Sequence, residues 1–158
     1  MMPSQPAPEL RLEVRRTFPA SIERVYDAWT RREQLEQWMC RDAPTHINRY
    51  LELNVSPGGR FIIHITTPEG DIYLQHGEFV EVVPQRRLVF KWFYEKIQSR
   101  GAPAQFRSPN TLVTVEFSAK GNATEVVLTH ARFTTVEERD GTDKGWNGCF
   151  DALAAVLG

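Results

Sequence analysis

The segment that most constrains this chain is its last, GWNGCFDALAAVL, over residues 145–157. Trp146, Cys149, Phe150, Leu153, Val156 and Leu157 recur there at three-and-four spacing, so a helix gathers them on one apolar face that must be covered. The middle of the chain has the other period. Apolar and polar residues alternate in short runs, the mark of half-buried antiparallel strands. A long amphipathic helix and a one-faced sheet each supply the cover the other needs. Laid across a curved sheet, such a helix leaves room for a cavity, and a cavity is where a chain of this kind would bind something.

From the other end, residues 1–8 hold three prolines and little that is apolar, which predicts a loose tail over 1–9 and a single domain over 10–158. A first strand follows over 10–18, where Leu10, Leu12 and Val14 oppose Arg11, Glu13 and Arg15. Pro19 and Ala20 stop it, and Ser21 stands where it can cap a short helix with Ile22, Val25, Tyr26 and Trp29 on its inner face. Thr30 and Glu33 have the spacing of a capping box for a second short helix that turns Leu35 and Trp38 inward. Six further strands are predicted over 45–54, 60–67, 71–83, 88–94, 111–119 and 124–133. Four of their junctions carry turn chemistry: Pro57-Gly58-Gly59, Pro68-Glu69-Gly70, Pro84 to Arg87, and Lys120-Gly121-Asn122. Short connections between consecutive strands make an antiparallel meander. The long connection, 95–110, is rich in Gly, Pro, Gln and Ser and reads as a mobile surface loop or a lid over a pocket mouth. Thr135 and Glu138 form a second capping box, but Gly141 and Gly145 each weaken a helix by about 1 kcal/mol relative to alanine. The expectation is an irregular first turn and a firm helix only from Lys144 onward.

Composition narrows the function classes. With 19 basic and 20 acidic side chains the formal charge is −1, and neither sign gathers into a block, which argues against a nucleic-acid surface or a polybasic membrane anchor. No apolar run approaches the roughly 18 residues of a spanning helix. Two cysteines, Cys40 and Cys149, fit a reducing compartment, so a cytoplasmic protein is expected. Cys149 reads as a small core residue, and Cys40 has no His or Cys motif beside it in sequence. No metal is expected: His46, His64, His76 and His130 fall in separate strands, and alternation sends His64 and His130 to opposite faces. No serine sits in a nucleophile elbow. Pro57-Gly58-Gly59 is followed by a strand rather than by Lys-Ser/Thr, which makes it a hairpin turn and not a phosphate cradle. No cofactor is expected.

Several local signatures occur in a fixed order: residues 18–30 (FPASIERVYDAWT), Leu35-Glu36-Gln37-Trp38, Pro57-Gly58-Gly59-Arg60-Phe61, Gly77 with Glu81-Val82-Val83-Pro84, Arg87-Leu88-Val89-Phe90, residues 124–130, and Gly145-Trp146 with Leu153. This ordered set resembles the heat-shock-protein-90 ATPase activator homologue family, within the START and polyketide-cyclase-like (SRPBCC) superfamily. The resemblance implies an α+β helix-grip fold, a seven-stranded antiparallel sheet with two short helices and a long C-terminal helix enclosing a hydrophobic cavity. Where that family often carries an acidic residue and an arginine ahead of the Pro-Gly-Gly turn, this chain has Asn54 and Ser56.

Alternation then nominates the cavity wall. Lys91 outward turns Leu88, Phe90, Trp92 and Tyr94 inward; Arg60 and His64 outward turn Phe61, Ile63 and Ile65 inward; Glu78 outward turns Tyr73, Gln75, Gly77 and Phe79 inward. With Val115, Phe117, Leu128 and His130 from the last strands, Trp38 from the second helix, and Trp146 and Phe150 from the third, these supply the candidate ligand-binding set: Trp38, Phe61, Ile63, Tyr73, Gln75, Phe79, Phe90, Trp92, Tyr94, Val115, Phe117, Leu128, His130, Trp146 and Phe150. Trp92 and Trp146 should lie nearest the cavity. His130 is the candidate with most chemistry, as a donor to a ligand carbonyl or as an acid or base; the competing role is a buried histidine bonded to a backbone carbonyl or a core tryptophan. The leading functional expectation is a non-catalytic protein that binds a small, largely hydrophobic molecule. The alternatives are a polyketide cyclase or aromatase-like enzyme, in which His130 or Tyr94 moves a proton, and a chaperone-interacting module of the kind the family name implies. The sequence permits a homodimer without requiring one.

Overall fold

The computed structural model of the chain describes residues 9–40 and 46–158. The expected tail over 1–8 and the expected start of the second strand at Thr45 lie outside the described residues. The elements run β1 (Leu10–Phe18), α1 (Ile22–Thr30), α2 (Arg32–Trp38), β2 (Ile47–Leu53), β3 (Arg60–Thr66), β4 (Ile72–Val83), β5 (Arg87–Ser99), β6 (Ala102–Arg107), β7 (Thr111–Lys120), β8 (Ala123–Phe133) and α3 (Val136–Leu157). Seven strands form one antiparallel path, β1-β8-β7-β5-β4-β3-β2, and the eighth, β6, pairs with β5 beside it. This is the helix-grip arrangement, with α3 laid against the sheet and α1 and α2 closing the same face. No helix among the described residues is long and apolar enough to cross a membrane.

The alternation sets the burial as expected. Phe61, Ile63 and Ile65 of β3 are buried, and so are Leu88, Phe90 and Trp92 of β5, Val113, Val115 and Phe117 of β7, and Val126, Leu128 and His130 of β8. Against them α3 presses Trp146, Cys149, Phe150 and Leu153, with Val156 and Leu157 half-buried at its end. Trp29 of α1 is the hub of the aromatic packing. Its ring lies 4.6 Å from Trp38 of α2, 6.1 Å from Phe117 of β7, 6.3 Å from Trp146 and 5.9 Å from Phe150 of α3. The pair with Trp146 is stacked and the other three are edge-to-face, and such pairs add roughly 0.5–1.5 kcal/mol each beyond the area they bury.

Four local expectations need correction. The expected loop or lid over 95–110 is strand: β5 runs on to Ser99, turns through Arg100 and Gly101, and returns as β6, with Glu95 paired to Arg107 and Lys96 to Phe106. The Gly and Pro that suggested irregularity occupy the turn and an edge strand, where a missing N–H costs no ladder bond. The capping box at Thr30 does not form. Thr30 is the last residue of α1, its hydroxyl donates to the Tyr26 carbonyl at 2.9 Å, and the N-cap position of α2 falls to Arg31, which makes no side-chain capping bond. Third, α3 is continuous from Val136 rather than firm only from Lys144. Thr135 Oγ1 accepts from Glu138 N at 3.1 Å, while Glu138 Oε2 accepts from the Thr134 hydroxyl at 3.0 Å instead of closing the box. That cap and the acidic first turn, Glu137 and Glu138, offset the glycines. The expected seven-stranded sheet, finally, is extended by β6, which pairs beside β5 as an eighth strand.

Gly77 shows how tightly the inner face is filled. It sits opposite Phe61 on β3 and Trp92 on β5, and a Cβ there would overlap the Phe61 ring. Phe61 in turn packs 5.4 Å from Phe90 and 5.7 Å from Trp92, so it has little freedom to move aside. Gly77→Ala is therefore expected to destabilise the protein by about 1–3 kcal/mol, the usual cost of overpacking. Urea unfolding of the two proteins measures it, and an unchanged midpoint would contradict this packing.

Candidate functional site

The grip is tight on one side and open on the other. On the tight side α3 lies along β1, where Arg16 bonds Asp151 at 2.7 Å and its guanidinium stands 5.7 Å from the Phe150 ring. On the open side, toward the turn between β3 and β4, a cavity of about 380 Å³ separates the sheet from the middle of α3. Its floor is Ile65 from β3, Tyr73 and Gln75 from β4, and Trp92 and Tyr94 from β5. The register explains the grouping, because Ile65 pairs with Tyr73, and Gln75 pairs with both Ile63 and Tyr94. Its roof is Thr142, Gly145, Trp146 and Cys149 of α3, and its far end is closed by Met39, Cys40 and His46. The rim carries Thr67, Glu69 and Asp71, from the β3–β4 turn.

The end of α2 is fixed to β2 by polar side chains. Tyr50 N donates to Glu36 Oε2 at 2.8 Å, Arg32 donates to the Tyr50 carbonyl, and Asn48 donates to the Met39 carbonyl. These bonds hold Met39 and Cys40 at the cavity, with Cys40 in the left-handed region at φ 57°. Complete burial, with Cys40, Cys149 and Glu36 around it, raises the Tyr50 hydroxyl well above its ordinary value and keeps it protonated. Asn54 and Ser56, the departures from the family pattern, are joined by a neutral 2.8 Å hydrogen bond in place of a charge pair.

Five of the fifteen candidates from sequence, Tyr73, Gln75, Trp92, Tyr94 and Trp146, line this cavity. Nine others, Trp38, Phe61, Ile63, Phe79, Phe90, Val115, Phe117, Leu128 and Phe150, are buried in the core that supports it. Parity finds the inward face but not the place along each strand where the helix stands away from the sheet. The wall also holds residues that sequence reasoning did not nominate: Met39, Cys40, His46, Ile65, Thr67, Glu69, Asp71, Thr142, Gly145 and Cys149. Ile65 had been assigned inward, and its place opposite Tyr73 was the available signal. Cys40, His46 and Cys149 come together only through the fold.

The remaining candidate, His130, is 1% exposed and stands behind the cavity wall. Its Nδ1 accepts from the Trp146 indole N–H at 3.0 Å, so the ring proton is on Nε2, which donates to Thr111 Oγ1 at 2.6 Å. The Thr111 hydroxyl donates onward to the Trp92 carbonyl at 3.0 Å. Every proton in this chain has an acceptor, and a second proton on the imidazole would face the indole N–H donor to donor. Burial pushes His130 from its ordinary 6.5 down to about 3. The unfolded chain takes up this proton below about pH 6.5, whereas the folded chain refuses it until about pH 3, so stability is complete above 6.5 and falls between those values. The slope from this one group is on the order of 1.4 kcal/mol per pH unit. Urea midpoints compared between about pH 7 and about pH 4 should fall more steeply for the parent chain than for His130→Gln. Parallel curves would contradict the assignment of a neutral, fully bonded His130.

The model of the family described as Activator of Hsp90 ATPase homolog 1-like protein matches residues 19–158. No curated protein matches the chain. Among solved structures, a protein from Chromobacterium violaceum is similar at a TM-score of 0.76 and 17% identity, over 93% of this chain and 96% of that one. A protein from Arthrobacter aurescens is similar at 0.76 and 23% identity, over 94% and 86%. CalU16 from Micromonospora echinospora is similar at 0.67 and 20% identity, over 94% and 76%. At these identities the structures share the fold. Through its own match over 19–158, the chain belongs to the Activator of Hsp90 ATPase homolog 1-like family.

Proposed function

We propose that this protein binds a small, largely apolar molecule between the β3–β5 face of the sheet and α3. The supporting observation is the cavity itself. About 380 Å³ falls within the usual range for ligand sites, roughly 300–1,000 Å³, and the walls combine aromatic faces with a few polar atoms. Trp92 and Trp146, 5.5 Å apart, and Tyr73 and Tyr94, 6.1 Å apart, offer rigid surface for a ring or a chain at little entropic cost. One polar group lacks its complement: Gln75 Oε1 is buried and has no hydrogen-bond partner among the described residues. A buried orphan acceptor costs roughly 1–3 kcal/mol, which a ligand donor would recover.

Proton-transfer catalysis has less support than binding. His130, the strongest candidate base, is enclosed by Trp146 and Thr111 and does not touch the cavity. Burial, with Glu138 and Tyr73 nearby, raises the Tyr94 hydroxyl above its ordinary value, so it stays a neutral hydrogen-bonding group near neutral pH.

The neutral fluorescent probe N-phenyl-1-naphthylamine tests the proposal. The parent chain should bind one equivalent with enhanced, blue-shifted emission. Thr142→Trp, which places an indole in the roof from a half-buried helix position, should weaken binding at least tenfold while leaving the thermal midpoint within a few degrees. Equal binding by parent and variant would show that the probe sits elsewhere.

A further inference from the structure

Resting on the cavity as a ligand site, the geometry points to a narrower ligand class: an apolar, ring-sized body carrying a protonated nitrogen. Both charged side chains in the wall are carboxylates, Glu69 and Asp71, and no lysine or arginine lines it among the described residues. The one unpartnered buried polar atom that belongs to a lining residue among the described ones, Gln75 Oε1, is an acceptor and calls for an N–H or O–H donor. Gln75 pairs across the ladder with Tyr94, so a donor reaching that oxygen would have the Tyr94 ring beside it. The other aromatic rings that line the cavity are Tyr73, Trp92 and Trp146, and indole and phenol faces attract cations.

The protein already holds an ammonium at this corner. Lys96 Nζ stands 5.4 Å from the Tyr73 ring centroid and 3.7 Å from Asp71 Oδ2, while Asp71 Oδ1 accepts from Arg100 N at 2.9 Å. Lys96 therefore offsets Asp71, and among the described residues the exposed Glu69 is the rim's unmatched negative charge. Glu138, from the first turn of α3, adds to the negative surroundings of the Tyr94 hydroxyl. A carboxylate ligand would meet three like charges, and the Lys96 ammonium beside it is engaged with Asp71. A cation meets two aromatic pairs, an orphan acceptor and net negative charge. Phe106 of β6, half-exposed and 5.7 Å from Tyr94, extends the aromatic wall outward for a body longer than the cavity.

Three probes of similar shape separate these terms in calorimetric titrations of the full chain at neutral pH: 1-(aminomethyl)naphthalene, 1-naphthylacetate and 1-ethylnaphthalene. The amine should bind at least tenfold more tightly than the acetate. Glu69→Gln and Gln75→Leu should each reduce that ratio severalfold. Acetate binding as tight as amine binding, or a ratio untouched by both variants, overturns the cation preference. If 1-ethylnaphthalene binds at the same time, the cavity remains a ligand site. Failure of all three probes to bind would overturn the cavity and the cation preference together.

Discussion

A single buried hydrogen-bond chain ties the helix to the sheet: Trp146 of α3 to His130 of β8, His130 to Thr111 of β7, and Thr111 to the Trp92 carbonyl of β5. Each bond contributes only about 1 kcal/mol net, but breaking one strands a buried donor or acceptor at roughly 1–3 kcal/mol. The chain is thus a device for specificity more than for stability. Apolar packing lets a helix slide on a sheet, whereas an indole N–H with one buried acceptor fixes both height and rotation. Because Trp146 and Trp92 are also cavity walls, the bonds that seat the helix set the shape of the space beneath it.

Different parts of the structure follow from interactions of different range, which decides what was legible beforehand. Leu10, Leu12 and Val14 against Arg11, Glu13 and Arg15 mark β1 within nine residues, and the structure places that strand at Leu10–Phe18. Ser21 caps α1 as read, its Oγ accepting from Arg24 N at 3.2 Å. Such features are local, and parity or capping chemistry carries them. The β5–β6 hairpin was illegible because residues 95–107 lack an inward apolar row: β6 is almost wholly exposed and is held by pairing and by Arg107 over the Phe93 ring at 4.1 Å. α3 began earlier than its glycines suggested because a cap and an acidic turn act over the same few residues and outweigh them.

About a third of the candidate site was legible, five of its fifteen lining residues. Tyr73, Gln75, Trp92, Tyr94 and Trp146 were reachable from alternation and helical spacing. The separation between cavity wall and solid core was not, since Phe61 and Tyr73 look alike in pattern and differ only in whether α3 stands over them. Gly77 settles part of this, letting the Phe61 ring fold into the floor and fill space that would otherwise extend the cavity. His130 shows the same limit. Its face was read correctly, but its role depends on Trp146 and Thr111, both distant in sequence, which take up both ring nitrogens.

The most direct test of this account follows the four indole N–H resonances, from Trp29, Trp38, Trp92 and Trp146, by NMR during titration with a bound aromatic probe. The account predicts that Trp92 and Trp146 shift while Trp29 and Trp38 stay in place. The Trp146 N–H should also remain slow to exchange, because its bond to His130 persists behind the ligand. Shifts centred on Trp29 or Trp38, or fast exchange at Trp146 on binding, would show that the probe enters the core or releases the helix, and would contradict a cavity built on a fixed grip.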